Sequence, residues 1–379
     1  MDTTNSFTLL SENIQNRLNK LNITTPTQVQ NKIIPEILDN KNVIFQSETG
    51  TGKTFAYLLP LIEKLEKDED KIKLRILVLA PTFELASQIN LAVKSITDRK
   101  SALIIGGSPL KRQIETLKEK PQIIVGTCAR IAELIHLKKI KINYLTATIF
   151  DETDRLVKKE SFDDTEHIRE LIPKETQIIA CSATLNKQTK IFFAGIENVV
   201  MPTENILKNN ITHWAILAEQ RDKIETLRKF IVAENPEKAL IFTSRADQVE
   251  NIYSKLTFKK ISCLSLHSKE DKKDRKAAID KFRSGKISIL ITSDLAARGL
   301  DIQNITHVIQ MDLPSDDDFF IHRSGRTARA GKKGINVVIG DEHEMRHFAQ
   351  LEKQLGITVY PRMIYDGKIS DPNILNEKE

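Results

Sequence analysis

A glycine-rich loop at residues 47–54 is the first stretch of the sequence whose residue types could do chemistry. It follows the apolar run 42–45, reads Ser-Glu-Thr-Gly-Thr-Gly-Lys-Thr and leads into a predicted helix start. Backbone N–H groups of such a loop, together with the helix N-terminus, bind phosphate groups. Lys53 would pair with the terminal phosphates of a nucleoside triphosphate, and the Thr54 hydroxyl would be a Mg²⁺ ligand. Because the usual pattern has Gly in place of Ser47, a glycine-rich turn that caps an ordinary helix is the alternative.

Two polar residues precede this loop, in a segment over residues 7–38 that is predicted to form two helices. Thr27 and Gln30 could present a hydroxyl and an amide to a purine base. A glutamine can donate to and accept from the amino and ring-nitrogen edge of adenine, which discriminates against guanine. The segment therefore predicts adenine recognition.

Two acidic residues at the end of a predicted strand are a second candidate for chemistry. The apolar strand 147–150 runs directly into Asp151 and Glu152. Beside a phosphate loop, such a pair supplies a carboxylate that holds Mg²⁺ through its waters and a base that polarises the attacking water. We expect Asp151 to hold the metal and Glu152 to act on the water. A solvated acidic turn is the alternative.

A basic cluster near the end of the chain could bind phosphate. Residues 321–331 contain His322, Arg323, Arg326 and Arg329. Arginines spaced three apart lie on one face of a helix or cluster at one turn. Such a fork could bind a γ-phosphate brought from another domain, as an arginine finger does, or it could be a general patch for RNA phosphates.

The elements that position these residues alternate between strands and helices. Apolar strands that end in polar or glycine-containing segments are predicted near residues 42–45, 76–80, 102–105, 122–125, 147–150 and 177–180. The second half repeats the alternation without a phosphate loop, with strands near 239–242, 262–266, 289–291 and 307–310. Strands that alternate with helices form a parallel sheet. The predicted domain boundaries are residues 1–203 for a nucleotide-binding domain, 204–212 for a linker and 213–379 for a second domain.

The composition restricts the class of protein. The chain has 379 residues, of which 40% are hydrophobic and 28% charged, which is typical of a globular protein of about two domains. The net charge of +6 favours a polyanionic partner only mildly. The three cysteines are far apart and form no Cys-x-x-Cys, so we expect reduced thiols in a cytoplasmic protein, without a zinc site. No apolar run approaches about 18 residues, so neither a membrane span nor a signal peptide is expected.

Taken together, the motifs closely resemble those of the DEAD-box ATP-dependent RNA helicases of superfamily 2, from Phe7 to about Gly340. They are Thr-Gly-Thr-Gly-Lys-Thr, Pro-Thr-x-Glu-Leu-Ala, Gly-Gly, Asp-Glu-x-Asp, Ser-Ala-Thr, Ile-Phe-x-Ser, Ala-Ala-Arg-Gly-Leu-Asp and His-Arg-x-Gly-Arg-Thr-x-Arg. The resemblance implies an α/β fold of two tandem RecA-like domains, each a parallel sheet flanked by helices, which close together on ATP and single-stranded RNA.

The resemblance also assigns an ATP site with Mg²⁺. Phe7 would stack on adenine, and Asp301 would meet the ribose. The implied nucleotide-binding residues are Phe7, Thr27, Gln30, Thr49, Gly50, Thr51, Gly52, Lys53, Thr54 and Asp301. The implied catalytic residues are Lys53, Asp151, Glu152, His322, Arg326 and Arg329, and the metal ligands are Thr54 and Asp151. Asp154, Ser182 and Thr184 would couple the nucleotide state to domain closure by hydrogen bonds.

Single-stranded and short duplex RNA are the implied partners, and protein cofactors are a further class. RNA would be held through phosphates and 2′-hydroxyl groups, so recognition should be largely independent of sequence. The implied RNA-binding residues are Pro81, Thr82, Gly107, Thr127, Arg130, Arg245, Arg275, Ser293 and Arg298.

Departures from the family pattern fall mostly on the RNA side. Phe83 stands where the family has Arg, and Cys128-Ala129 replace Pro-Gly at a helix start. Thr153 replaces Ala beside the two acids. In the second domain the departures are Ser268 and Lys272 for Gly and Gln, Ser293 for Thr and Ala328 for Gly. All charged residues that handle ATP are present, so we expect an active ATPase whose grip on RNA is altered rather than lost.

Three functions follow from these expectations. The first is an RNA-dependent ATPase that locally unwinds short RNA duplexes or remodels RNA–protein complexes. The second is an ATP-gated RNA clamp or scaffold with weak unwinding. The third is a DNA helicase built on the same core, against which the Gln30 adenine motif and the Ala-Ala-Arg-Gly-Leu-Asp stretch argue.

Overall fold

The computed structural model describes residues 5–47, 50–196, 198–200, 205–266, 272–297 and 302–372. Thr49, Arg298 and Asp301, which are predicted site residues, and Ser268, one of the departures, lie outside these ranges. The chain forms two compact units, Met1–Glu204 and Asn205–Glu379.

The first unit is built around a parallel β-sheet. Its described strands are β1 (Val43–Gln46), β2 (Ile76–Ala80), β3 (Ser101–Ile104), β4 (Ile123–Thr127), β5 (Ala147–Asp151), β6 (Gln177–Ser182) and β7 (Asn198–Val200). They are arranged in the order β3-β4-β2-β5-β6-β1-β7, and each neighbouring pair is parallel. The six strands predicted for this half of the sequence are all present.

Helices cover both faces of this sheet. After a short 3₁₀-helix at Ser6–Leu9, they are α1 (Glu12–Lys20), α2 (Gln28–Leu38), α3 (Lys53–Glu66), α4 (Phe83–Ile96), α5 (Leu110–Lys118), α6 (Cys128–His136), α7 (Thr153–Leu156), α8 (Phe162–Leu171) and α9 (Lys187–Phe192). Successive strand residues enter different apolar clusters: Val43 and Phe45 pack in one, and Ile44 packs in the other. Because both faces are buried, the strands are continuous apolar runs rather than alternating patterns.

The second unit contains another sheet. Its described strands are β8 (Ile211–Leu217), β9 (Ala239–Thr243), β10 (Leu264–Leu266), β11 (Ile289–Ser293), β12 (His307–Gln310), β13 (Gly334–Gly340), β14 (Val359–Tyr365) and β15 (Lys368–Ser370). The order is β10-β11-β9-β12-β13-β8-β14-β15. All neighbouring pairs are parallel except β14 and β15, which form an antiparallel hairpin. The prediction of a parallel sheet therefore fails only at this last strand.

The helices of the second unit are α10 (Ile206–Asn209), α11 (Lys223–Glu234), α12 (Ala246–Phe258), α13 (Lys272–Arg283), α14 (Asp294–Ala297), α15 (Asp317–Ser324), a 3₁₀-helix (Arg329–Gly331) and α16 (Glu342–Leu355). Residues 205–212, part of the predicted linker, contain α10 and the start of β8. They belong to the second unit. In the described part of the chain, no helix is both long and apolar enough to cross a membrane.

Candidate functional site

The order of strands in the first sheet separates the predicted ATP residues from the predicted RNA residues. The neighbouring strands β5, β6 and β1 end at Asp151, at Ser182 and at the phosphate loop. On the other side of β5, strands β2, β4 and β3 run into the segments that carry Thr82, Thr127 and Gly107. Because all these strands are parallel, both sets lie at the carboxyl edge of one sheet, in adjacent halves, where α/β folds bind ligands.

The phosphate loop is fixed at its start by Ser47. The Ser47 N–H donates to the Ser182 carbonyl oxygen at 2.9 Å, and the hydroxyl oxygens of Ser47 and Thr51 are 2.5 Å apart. The Lys53 ammonium donates to the Ser47 carbonyl oxygen at 2.8 Å. The residue that departs from the usual glycine therefore makes a hydrogen bond across the loop, which the hydrogen atom of a glycine could not make.

Gly52 is the position at which the loop requires a glycine. Its φ of 91° is in the left-handed region, and an added Cβ would lie 2.5 Å from Gln30 Nε2. Gln30 Nε2 donates to the Gly52 carbonyl oxygen at 3.1 Å, while Gln30 Oε1 accepts from the Thr27 N–H at 2.9 Å. Thr27 and Gln30 form a capping box at the start of α2. The predicted adenine element thus contacts the phosphate loop directly, and part of its hydrogen-bonding capacity is used within the protein.

Phe7 occupies a different environment from the one predicted. Only 5% of its surface is exposed, because the ring packs in the apolar cluster between the first helices and the sheet. Its stacking on adenine stays a prediction.

Asp151 is buried at the end of β5 and accepts three hydrogen bonds. Tyr57 Oη donates to Asp151 Oδ2 at 2.8 Å, and Cys181 Sγ lies 3.1 Å from Asp151 Oδ1. The Glu152 N–H also donates to Oδ1, at 2.9 Å. Burial raises the pKa of Asp151, while the nearby charge of Lys53 opposes that shift. A buried carboxylate next to a phosphate loop suits a divalent cation, which would compensate its charge.

Glu152 adopts left-handed backbone geometry, with φ 51° and ψ 55°, immediately before α7. This geometry costs a residue with a side chain about 1–3 kcal/mol and occurs often at functional sites. Its carboxylate forms an ion pair with Arg155 at 3.2 Å. Thr153, which follows, is fully buried, and its hydroxyl has no hydrogen-bond partner among the described residues.

Asp154, Ser182 and Thr184, the residues predicted to couple the two domains, lie together. Thr184 Oγ1 donates to Asp154 Oδ2 at 3.1 Å. The backbone N–H groups of Asp154 and Thr184 both donate to Ser182 Oγ, at 3.3 and 3.4 Å. All three side chains are buried. The segment after β6 is therefore tied to the turn that carries Asp151 and Glu152.

The predicted RNA residues of the first unit lie at helix starts. Thr82, after Pro81, caps α4 by accepting from the Leu85 N–H at 3.3 Å. Phe83 opens α4 and is 46% exposed. An uncharged ring therefore stands in solvent where the family pattern has a cation.

The neighbouring loops carry the rest of this set. Thr127 Oγ1 accepts from the Gly106 N–H at 3.4 Å, and Gly107 has a φ of 74° with open space around its Cα. Arg130 donates to the Ser108 carbonyl oxygen at 2.9 Å and pairs with Glu133 at 2.8 Å. These contacts draw the loop after β3 towards the start of α6.

Cys128 fills an apolar position at the start of α6. Its thiol is buried and accepts a hydrogen bond from Thr165 Oγ1 at 3.4 Å. Burial raises the pKa of Cys128 to about 11. Replacement of the family proline by Cys128 is thus accommodated by packing, and burial disfavours the thiolate, which is the reactive form.

In the second unit, Arg323 differs from the predicted fork. It is 1% exposed and donates to both carboxylate oxygens of Asp294, at 2.6 and 2.5 Å. It also donates to the Asp312 carbonyl oxygen and to Ser244 Oγ, both at 2.8 Å. Helix α15 ends at Ser324, so the three arginines do not share one helix face. Arg323 is a structural ion-pair residue, and the prediction that it belongs to a phosphate-binding fork is wrong.

Arg326 and Arg329 lie near the amino ends of the strands. Between them, Thr327 Oγ1 donates at 2.6 Å to the carbonyl oxygen of Ile305, which precedes β12. Both arginines line a cavity of about 280 Å³, shared with Thr306. Ala328, between them, has a φ of 55°, a left-handed value that the family glycine would adopt without strain.

The predicted RNA residues of the second unit lie at the opposite, carboxyl edge. Arg245 follows β9 and forms an exposed ion pair with Asp247, and Ser293 ends β11. Arg275 donates to the Ala296 carbonyl oxygen at 2.7 Å, which holds α13 against α14. His322 is buried within α15. In this unit the predicted RNA-binding residues and the predicted phosphate-binding arginines, Arg326 and Arg329, therefore lie at opposite edges of the sheet.

Sequence reasoning missed Tyr57, Cys181, Asp294 and Asp312. The first two are apolar-segment residues whose polar atoms turn towards Asp151. Asp312 had a usable signal, because it follows the apolar strand β12 as Asp151 ends β5. It accepts from the Thr243 and Ser244 hydroxyl groups at 2.8 and 2.5 Å.

Two family models and several known helicases are similar in sequence to this chain. The family model described as DEAD/DEAH box helicase matches residues 27–192, and that described as helicase conserved C-terminal domain matches residues 222–331. The DEAD-box ATP-dependent RNA helicase CshC of Bacillus cereus is 37% identical, over 90% of this chain and 88% of its own length. The probable ATP-dependent RNA helicase YfmL of Bacillus subtilis is 34% identical, over 94% of this chain and 96% of its own.

Solved structures of similar fold carry RNA and nucleotide. Saccharomyces cerevisiae Dbp5 bound to RNA and ADP-BeF₃ has a TM-score of 0.81 at 25% identity, covering 94% of this chain and 96% of its own. Mss116 bound to single-stranded RNA and UDP-BeF has a TM-score of 0.82 at 27% identity, covering 94% of this chain and 79% of its own. This chain belongs to the DEAD-box family of helicases. The predicted family and the fold of two RecA-like domains are confirmed.

Proposed function

We propose that this protein is an ATP-dependent RNA helicase, which couples ATP hydrolysis to local unwinding of short RNA duplexes or to remodelling of RNA–protein complexes. The observation that carries the proposal is the carboxyl edge of the first sheet. There the phosphate loop after β1 and the buried Asp151 at the end of β5 flank the Ser182–Thr184 segment after β6. We therefore assign phosphate binding, metal binding and the coupling of the two domains to residues at the ends of three adjacent strands.

The residues around this edge have distinct roles in the proposed reaction. Lys53, which donates to the Ser47 carbonyl oxygen, would turn its ammonium group to the terminal phosphates. Thr54 and Asp151 provide the hard oxygen donors that Mg²⁺ prefers, and the cation would neutralise phosphate charge. Glu152, held in strained backbone geometry, would orient the attacking water and accept its proton.

RNA is the proposed polymer because two relatives that match most of this chain are described as RNA helicases. The residues proposed to contact it in the first unit lie at helix starts and glycine turns, where backbone N–H groups point outward. Such groups bind phosphates, which makes recognition largely independent of sequence.

A cytoplasmic location is also proposed. It is supported by Cys128, Cys181 and Cys263, which are all buried and free of disulfide bonds. Free thiols of this kind are typical of a reducing compartment.

The first test is ATP turnover with and without single-stranded RNA, beside Lys53→Ala and Glu152→Gln variants. We expect RNA to raise turnover, Lys53→Ala to weaken ATP binding, and Glu152→Gln to bind ATP and RNA without hydrolysis. If ATP and RNA bind but turnover stays flat, the protein is an RNA clamp. If single-stranded DNA stimulates turnover as well as RNA does, the helicase acts on DNA.

A further inference from the structure

A pocket lies at the amino edge of the first sheet, away from every residue discussed so far. It has a volume of about 510 Å³ and is formed by the three segments that lead into β2, β4 and β5. These strands are neighbours in the sheet, so the three segments lie side by side.

The pocket combines an apolar floor with a rim of one charge. Its floor includes Leu74, Leu117, Ile124 and Ile140. Its rim carries Lys73, Lys118, Lys120, Lys139 and Lys141. No acidic residue is among the described residues that line it. The pocket therefore offers burial to an apolar group and attraction to negative charge at the same place.

Part of this positive charge has no internal partner. Lys73 pairs with Asp70 at 2.8 Å and Lys118 with Glu115 at 2.7 Å. Lys120, Lys139 and Lys141 are exposed and form no ion pair with any residue that the structure describes. Three like charges around an apolar floor repel one another, so an acidic ligand would relieve that repulsion.

The pocket is separate from the proposed helicase site. The same three strands lead, at their other ends, to Thr82, Thr127 and Asp151. A five-residue strand spans roughly 17 Å, so a ligand in the pocket and a ligand at the carboxyl edge do not compete for the same groups.

We propose that this pocket docks an acidic peptide segment of a partner protein, with one large apolar side chain of that segment as its anchor. The anchor would lie on the apolar floor, as interface anchors do in desolvated pockets. Aspartate or glutamate residues beside it would pair with Lys120, Lys139 and Lys141. Docking here would bring the helicase to its partner while leaving the carboxyl edge open.

The lining favours a peptide over RNA. Nucleic-acid sites combine stacking aromatic rings with arginines and exposed backbone N–H groups. Here Tyr144 is the one aromatic residue among the described lining residues, and the Lys73 ammonium already lies 4.6 Å from its ring centroid. No arginine lines the described pocket. A charged phosphate backbone would gain little from contact with an apolar floor.

The experiment selects displayed random dodecapeptides on the full-length protein, and measures binding of the enriched peptides by fluorescence polarisation. The test variant carries Lys139→Glu and Lys141→Glu. The control carries Lys159→Glu and Lys190→Glu, which reverse two charges at exposed positions elsewhere on the first unit. A ten-nucleotide oligouridine is measured in parallel. RNA-stimulated ATP turnover of both variants checks that the helicase site is intact.

We expect enriched peptides to contain several acidic residues and a large apolar residue. Their affinity should fall at least about tenfold in the test variant and when the apolar residue is changed to Ser, and stay unchanged in the control. Selection of other peptide classes, or equal binding to both variants, would overturn the proposal. Loss of oligouridine binding in the test variant, with no peptide effect, would instead assign the pocket to RNA.

Discussion

The hydroxyl group of Tyr57, on helix α3, donates a 2.8 Å hydrogen bond to Asp151 Oδ2 at the end of strand β5. Both residues are buried, and the thiol of Cys181 lies against the other carboxylate oxygen. The proposed metal carboxylate is therefore held in one orientation by two fully buried side chains. This contact gives Tyr57 a positioning role that a core aromatic residue lacks.

Replacement of Tyr57 by Phe should lower ATP turnover without unfolding the first unit. The loss of a hydrogen bond to a charged group is worth about 1.5–3 kcal/mol, so we expect kcat to fall about tenfold or more. The Mg²⁺ concentration that gives half-maximal turnover should rise, while the KM for ATP changes less. Tyr253→Phe, a partly buried tyrosine of the second unit, is the matched control. An unchanged Mg²⁺ dependence would show that Tyr57 only fills space.

A cation at position 83 should strengthen RNA binding. Phe83→Arg adds a charge at the exposed start of α4, so we expect tighter binding and a salt dependence steeper by about one unit of slope. Leu91→Arg is the control, because Leu91 is also exposed on the same helix but lies about 12 Å further along it. Titrations of single-stranded RNA at several salt concentrations measure the slope. Equal slopes for the two variants would mean that Phe83 is remote from RNA.

Arg323→Lys should destabilise the second unit rather than alter phosphate binding. The guanidinium makes a two-pronged contact with Asp294 and further bonds to Asp312 and Ser244, which one ammonium group cannot reproduce. Breaking a buried ion-pair network costs about 3 kcal/mol or more. Chemical denaturation measures the free energy of unfolding. The exposed pair of Arg346 and Glu342 provides the control, because Arg346→Lys should change that free energy little.

The burial of Arg323 illustrates which features of the site could not be predicted from the sequence. Strand ends such as Asp151 and Ser182 could be predicted, because an apolar run that breaks at a polar residue is a local pattern. The partners of Arg323 come from the ends of separate strands, and only the assembled sheet brings them together. The role of Tyr57 could not be predicted either, because its neighbours along α3 are apolar and its partner Asp151 is distant in the sequence.

The C-terminal hairpin of β14 and β15 was also not predicted, although it has a local sequence signal. Asp366 and Gly367 have φ values of 47° and 70°, as expected of a two-residue turn with both residues left-handed. An Asp-Gly pair directly after the short apolar run 363–365 is a local hairpin signal, so β15 was predictable.

Thr153→Ala should stabilise the first unit. The Thr153 hydroxyl is buried beside the two acids with no hydrogen-bond partner among the described residues. An unsatisfied buried polar group costs about 1–3 kcal/mol, and alanine removes it along with one methyl group. We expect a net gain of about 1 kcal/mol in the free energy of unfolding. Thermal and chemical unfolding measure it, and a loss of stability would show that the hydroxyl is satisfied by water.

The second unit should lose stability as the pH falls from about 6.5 to about 4, through His213. Burial lowers the pKa of His213 to about 4, although the Leu207 carbonyl oxygen, 2.8 Å from Nε2, opposes the shift. Nδ1 accepts from Asn336 Nδ2 at 3.2 Å, so both ring nitrogens of the neutral form are satisfied. The unfolded chain binds the proton with a pKa near 6.5, and the folded chain resists it. Stability is therefore full above pH 6.5 and declines below it, by about 3 kcal/mol at most.

Unfolding free energies between pH 7 and pH 4 test this directly. His213→Gln keeps a donor and an acceptor but cannot titrate. The stability of this variant should therefore decline less steeply towards pH 4 than that of the natural chain. At pH 7 the variant should be less stable than the natural chain. His343→Gln, at an exposed position of the same unit, is the matched control. Carboxylates also lose stabilising contacts in this range, but their contribution is common to all three proteins. The difference between the slopes therefore belongs to His213, and equal slopes would mean that the ring is protonated in the fold.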